Sequence, residues 1–203
     1  MKKIFKLQSC VLVVCLLFVS VFSNSVYANT AEIESDIVTI DNTKYKIERT
    51  ISDSAVNVTL KEVNGDTLCT AVNNENGLYL NGELISEKAT DETNSTLMKA
   101  IPRAALKWGP WSTSNITVKT GGMNAALVAG AIAAAAPWVS LSVIGGMSAT
   151  IAASYSKVVI KMQIRYAKDS KYQYYQRKTS FYGNGTSKFG PTLNEDRKVP
   201  LYK

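Results

Sequence analysis

The sequence predicts an α+β protein, with a small N-terminal antiparallel β-meander and a C-terminal domain in which an apolar helical hairpin is flanked by antiparallel strands. Three observations carry this. Residues 37–40, 44–51, 55–63 and 67–72 are alternating or β-branched runs separated by turn residues. Residues 121–154 contain no charged side chain and are rich in Ala and Gly. Beyond them Val158, Ile160, Met162, Ile164 and Tyr166 alternate with Lys157, Lys161, Gln163 and Arg165, the period of a half-buried strand.

The chain opens on Met1-Lys2-Lys3-Ile4-Phe5-Lys6, is mostly apolar over 7–22, and offers Val26-Tyr27-Ala28 to a signal peptidase. That layout predicts a secretory signal peptide at 1–28 and a secreted, extracellular product. About sixteen apolar residues are short for a retained anchor, which needs roughly twenty. Leu12-Val13-Val14-Cys15 resembles a lipoprotein box, but cleavage there would leave too little apolar chain ahead of it. Removal of Cys10 and Cys15 leaves Cys69 alone, so no internal disulfide forms and stability must come from burial.

Charge divides the rest. Residues 29–103 hold thirteen Asp or Glu against seven Lys or Arg, whereas in 104–203 only Asp169, Glu195 and Asp196 oppose thirteen cations. Two readings stand: drift of surface charge, or an acidic pro-segment matched to a basic effector and later removed or displaced. In the acidic part Asn64-Gly65-Asp66, Asn73-Asn74-Glu75-Asn76-Gly77 and Asn81-Gly82 mark turns between short strands, the last of these flanking Leu78-Tyr79-Leu80. The polar run SEKATDETNS at 86–95 carries no apolar anchor and reads as linker. The expected organisation is an acidic β-rich pro-segment or N-terminal domain at 29–85, a linker at 86–107, and a basic effector domain at 108–203. Met98-Lys99 and Arg103-Ala104 are the expected protease sites.

Trp108-Gly109-Pro110-Trp111 opens the basic part with two amphipathic aromatics suited to a core edge or a lipid headgroup zone. A strand is expected at 115–119. Pro137 interrupts the uncharged block, which predicts a hairpin of two helices over 121–154, each of about sixteen residues and roughly 24 Å. Gly122, Ala126, Gly130 and Ala134 recur every fourth residue in the first helix, and Ser142, Gly146, Thr150 and Ser154 in the second. Such small-residue ladders let two backbones pack closely, as membrane helices do. The hairpin is then either the buried centre of the domain or a membrane-active element stored against the sheet. In the second case Trp108, Trp111 and Trp138 join the ladder residues, through Thr150, as the membrane-interacting set. Self-association through the hairpin is a further expected contact.

The strand at 157–166 and its return through 172–182 form a basic, Tyr-rich β-hairpin, 157–182. Its Lys157, Lys161, Arg165, Lys168, Lys171, Tyr172, Tyr174, Arg177 and Lys178 are the expected envelope-binding residues. For a secreted chain the expected partners are anionic membrane lipids or wall polymers of target bacteria, not nucleic acid.

Catalysis finds little support. The chain has no His, which removes Ser-His and Cys-His pairs and HExxH zinc sites. Ser154-Tyr155-Ser156-Lys157 and Lys119-Thr120-Gly121 match S-x-x-K and K-T-G elements, but in the wrong order. No carboxylate pair is singled out by spacing, and no metal or cofactor is expected. Tyr182-Gly183-Asn184-Gly185 resembles the Y-G-N-G box of pediocin-like bacteriocins, yet it lies near the C-terminus with no following Cys, so a tight turn is expected. The arrangement of signal peptide, acidic leader region, Trp108-Gly109-Pro110-Trp111, Gly/Ala hairpin and Tyr-rich tail resembles the large geobacillin-type secreted bacteriocins of Gram-positive bacteria, chiefly over 105–190. That resemblance implies a secreted antibacterial protein acting on related bacteria and transfers no catalytic residues; the residues themselves add the expectation of a non-enzymatic protein whose basic Tyr-rich hairpin binds anionic envelopes and whose helical hairpin perturbs the membrane. A secreted binding module for wall polymers or a partner protein is the alternative.

Overall fold

The computed structural model describes residues 31–86 and 106–201, and all of them belong to one compact unit, Ala31–Lys203. The expected signal peptide, its cleavage point and the two protease sites lie outside the described residues, as does most of the expected linker.

Alternation builds two antiparallel sheets. The first is a six-stranded meander in sequence order: β1 (Glu32–Ile40), β2 (Thr43–Ile51), β3 (Ala55–Glu62), β4 (Thr67–Asn74), β5 (Gly77–Leu80) and β6 (Glu83–Ser86). The second has four strands in the order β10-β9-β8-β7, from β7 (Ser112–Lys119), β8 (Lys157–Lys168), β9 (Tyr172–Gly183) and β10 (Ser187–Pro200). Two strands exceed the sequence reading. The four-residue β6 is too short to show a period, and β10 carries Gly190-Pro191 and Asn194-Glu195-Asp196-Arg197, residues that an exposed edge tolerates and a central strand does not.

Between β7 and β8 lie two helices, α1 (Ala125–Ala135) and α2 (Leu141–Ser154). They are shorter than expected, because residues 121–124 form a turn and 136–140 surround Pro137. The described residues are therefore mixed α+β but mostly strand. Asn124 caps α1, its Oδ1 accepting from Leu127 N at 2.9 Å. From Val128 to Ala135 every residue of α1 is buried, as a helix without a polar side must be.

The burial has two walls. α1 packs on β2 to β5 and also on β7, while α2 packs on β1, and the buried side chains of both sheets join both helices in a single cluster. Ile47, Val58, Leu60 and Cys69 come from the acidic half, and Val118, Val158, Ile160 and Phe181 from the basic half. The division at 29–85 and 108–203 therefore does not separate two cores. The cover of the helices on one side is the acidic half itself.

Charge does not join the halves. Among the described residues the ion pairs stay within one half: Lys46 and Lys61 with Glu48, Arg49 with Glu34, Arg177 and Arg197 with Glu195. Lys46 and Lys61 hold the Glu48 carboxyl down at about 2. Apolar burial makes the junction, and Arg49 and Asn73 add polar bonds across it. Arg49 of β2, 2% exposed, donates through NH1 to Val139 O at 3.0 Å and Ala133 O at 3.4 Å, and through NH2 to Glu34 Oε2. Asn73 of β4 donates through Nδ2 to Ala134 O at 3.1 Å. Carbonyls of the last turn of a helix lack intrahelical donors and form its negative end. For α1 the acidic sheet supplies both the donors and a cation.

The small-residue ladders do not pair the helices. Gly122 precedes α1 in a left-handed turn, φ +79°. A Cβ on Gly130 would lie 2.8 Å from Cys69 Sγ of β4, and one on Gly145 would lie 3.0 Å from Val38 Cβ of β1, so both glycines admit the sheet. Ala126 and Ala134 are buried. Ser142, Gly146, Thr150 and Ser154 are exposed, and a Cβ on Gly146 would meet nothing within 4 Å. A four-residue period marks a stripe on a helix but not what the stripe faces; on α2 it faces solvent.

Burial under Gly130 pushes the Cys69 thiol up to about 11, since an apolar site disfavours the thiolate. The expected result is that iodoacetamide at pH 8 leaves Cys69 unmodified in the folded protein and alkylates it once denaturant is added. Mass spectrometry reads the difference, and rapid alkylation without denaturant would contradict this packing.

Candidate polyanion-binding face

The register of the second sheet assigns its side chains to two faces, because directly opposed residues in antiparallel strands share a face. Val118, Val158, Ile160 and Phe181 are buried against the helices, which fixes the inner face. Lys119 opposite Lys157, Lys161 opposite Ser180, Arg165 opposite Gln176 and Lys178 opposite Gln163 then lie on the outer face. Lys188 opposite Tyr182, Lys198 opposite Tyr174, and Tyr172 opposite Pro200 complete it. Of the acidic residues on these four strands only Asp196, opposite Gln176, shares this face.

Aromatic rings order several of these cations. The Arg165 guanidinium sits 4.9 Å from the Trp108 ring and 4.7 Å from the Trp111 ring, and its Nε donates to Gln176 Oε1 at 2.7 Å. Lys178 Nζ lies 4.6 Å from the same Trp111 ring. Lys198 Nζ lies 3.7 Å from the Tyr172 ring and 5.7 Å from that of Tyr174. Each contact is worth about 0.5–1 kcal/mol when exposed and restricts a flexible cation without neutralising it. The backbone holds Trp108 and Trp111 there: Gly109 N donates to Tyr166 O at 2.8 Å, so the segment ahead of β7 runs beside the end of β8.

The turn between β8 and β9 is organised by Asp169, whose carboxylate accepts from the Lys171 and Tyr172 amides at 2.7 Å and from the Tyr174 hydroxyl at 3.0 Å. These bonds hold its carboxyl below the usual range; burial, with help from Asp169, raises the Tyr174 phenol. Lys171 stands exposed on this turn. Lys168 is exposed at the end of β8 with the register of the inner face, opposite Gln173.

The expected binding residues are thus regrouped. Lys157, Lys161, Arg165, Lys178, Tyr172 and Tyr174 share the outer face. Arg177 does not, because its register turns it inward, 4.9 Å over the Trp138 ring and 3.1 Å from Glu195 Oε2. Trp138 also faces inward, its Nε1 donating to Thr179 Oγ1 at 2.9 Å, and so ties the segment after Pro137 to β9. Trp108 and Trp111, grouped by sequence with the hairpin, stand with the cations instead. Sequence reasoning missed Lys119, Lys188, Lys198 and Gln176. Lys119 was within reach as the last residue of an alternating run; the others depended on an edge strand with no apolar alternation.

Among the described residues no helix is long and apolar enough to cross a membrane, and no cluster of three metal-ligating side chains occurs. No protein family, curated protein or solved structure was found that matches the chain.

Proposed function

We propose that this is a secreted, non-enzymatic antibacterial protein of bacteriocin type that adsorbs to anionic bacterial envelopes through the outer face of the four-stranded sheet. One observation carries the reading: Lys119, Lys157, Lys161, Arg165, Lys178, Lys188 and Lys198 share a face with Trp108, Trp111, Tyr172 and Tyr174, opposed among the described residues by Asp196 and, at the turn between β8 and β9, by Asp169, whose carboxylate meets the Tyr174 hydroxyl. Such segregation concentrates positive potential toward one side and favours polyanions over neutral surfaces. Membrane perturbation by α1 and α2 acting as a released hairpin is the second step of this reading. It is favoured by their lack of charge and by the donors that Arg49 and Asn73 supply across the junction to Ala133 O and Ala134 O at the end of α1. A wall-polymer binding module that never releases the helices is the alternative.

One assay separates them. The protein is incubated with phosphatidylglycerol vesicles loaded with dye, and in parallel with purified Gram-positive cell walls. Adsorption should fall steeply between 50 and 500 mM salt, as expected for exposed charges at a Debye length of about 10 Å at 0.1 M. Leakage at micromolar protein supports the antibacterial reading, pelleting with walls and no leakage selects the binding module, and failure to bind either surface refutes both.

A further inference from the structure

Resting on the adsorption reading, we infer that Trp108, Arg165, Trp111 and Lys178 form a defined subsite for phosphodiester groups of a linear wall polymer. Three features of the cluster support this over diffuse attraction.

Arg165 is pre-organised. Its guanidinium carbon lies 4.9 and 4.7 Å from the Trp108 and Trp111 ring centroids, and its Nε is held by Gln176, so the remaining N–H donors are left for a ligand; among the described residues no carboxylate pairs with it. A guanidinium edge of fixed plane matches two oxygens of one phosphate, and stacking reduces the side-chain entropy lost on binding. A second cation is placed with it. Lys178 shares the Trp111 ring, so the two charges lie no farther apart than the sum of their distances to one centroid. That pairing suits neighbouring charges along a chain.

The third feature distinguishes a polymer from a bilayer. The indoles of Trp108 and Trp111 are engaged by Arg165 and Lys178 instead of being left free to enter a headgroup zone. Of the exposed aliphatic residues, Ile33, Ile37, Val63, Leu68 and Leu84 are on the other sheet or its turns, Val199 has the inner register, and Leu106 and Leu201 lie outside the strands of this sheet, Leu106 just ahead of Trp108. The outer face of β7 to β10 presents no exposed Leu, Ile, Met or Phe to insert into lipid.

The test follows intrinsic tryptophan fluorescence of the full secreted chain during titration with a synthetic oligo(glycerol phosphate). Inorganic phosphate, polyglutamate of equal length and phosphatidylglycerol vesicles are the comparison ligands. Arg165→Lys keeps the net charge but loses the planar guanidinium and its Nε–H to Gln176, whereas Lys44→Gln removes one exposed charge from the other sheet. The expected result is about tenfold weaker oligomer binding for Arg165→Lys, under twofold for Lys44→Gln, and weaker binding of polyglutamate by the unaltered protein. Unchanged thermal unfolding of Arg165→Lys shows that the loss is local; if that variant unfolds early, Trp111→Tyr, which retains a ring, must give the intermediate loss. Equal binding by wild type and Arg165→Lys overturns the subsite while leaving adsorption standing. Equal affinity for polyglutamate overturns phosphate selection, and binding to vesicles alone assigns the face to lipid. Absence of binding to every anion would instead remove the adsorption reading itself.

Discussion

Leucine in place of Gly130 will destabilise the protein by about 3 kcal/mol or more, whereas leucine in place of Gly146 will change stability by less than about 1 kcal/mol. The two glycines look alike in sequence, each in an Ala-rich helix at a four-residue spacing from other small residues. They differ in what they touch. At Gly130 even a first side-chain carbon would stand 2.8 Å from Cys69 Sγ, inside a helix buried on all sides, so α1 must move off β4 to admit more atoms. At Gly146 the added atoms project into open space, and leucine's better helix propensity offsets its exposure. Denaturant midpoints for both variants decide the matter. Equal losses would restore the ladder as a helix-pairing device. Cys69→Ala in the Gly130→Ala background should recover part of the loss, since the clash is with one atom, and a double-mutant cycle measures that coupling.

Arg49→Met should cost about 3–5 kcal/mol, the largest loss expected from removing any one polar side chain here. Methionine fills much of the volume but donates nothing, so Ala133 O and Val139 O lose a donor and Glu34 loses its cation. Asn73→Ala, which frees only Ala134 O, should cost about 1–2 kcal/mol. Both changes act at the C-terminal end of α1, on bonds that cross from the acidic sheet to the helices. If the proposed membrane step occurs, weakening this clasp should raise dye release at a given protein concentration. A destabilised Arg49→Met protein that adsorbs normally yet releases no dye, alongside an inactive parent, would argue that the helices never leave their place.

The physics of the charge division differs from what composition alone implied. An acidic segment before a basic one invites the idea of electrostatic pairing, yet Glu34 and Glu48 are taken up by cations of their own sheet, and Arg177 by Glu195 of its own. What binds the halves is the apolar inner faces of two sheets closing on one Ala-rich helix. Cutting the chain between them would therefore not release the basic part by itself; separation would expose α1 and the inner face of each sheet to water.

Local period and composition determined much of this protein without any knowledge of its fold. Alternation at 44–51 and 158–166, turn residues such as Asn64-Gly65 and Asn81-Gly82, and Pro137 in an uncharged block place strands, turns and the break between helices, because each depends on neighbours within a few residues. The same alternation puts Lys157, Lys161 and Arg165 on one side of β8. Tertiary structure alone decided that α1 lies under the acidic sheet, that Gly130 admits Cys69, that Gly146 faces solvent, and that Arg177 turns inward beside Trp138 while Arg165 lies against both Trp108 and Trp111. Those outcomes depend on which surfaces meet across long stretches of chain, and a run of residues specifies its own stripe or face but not the partner that covers it.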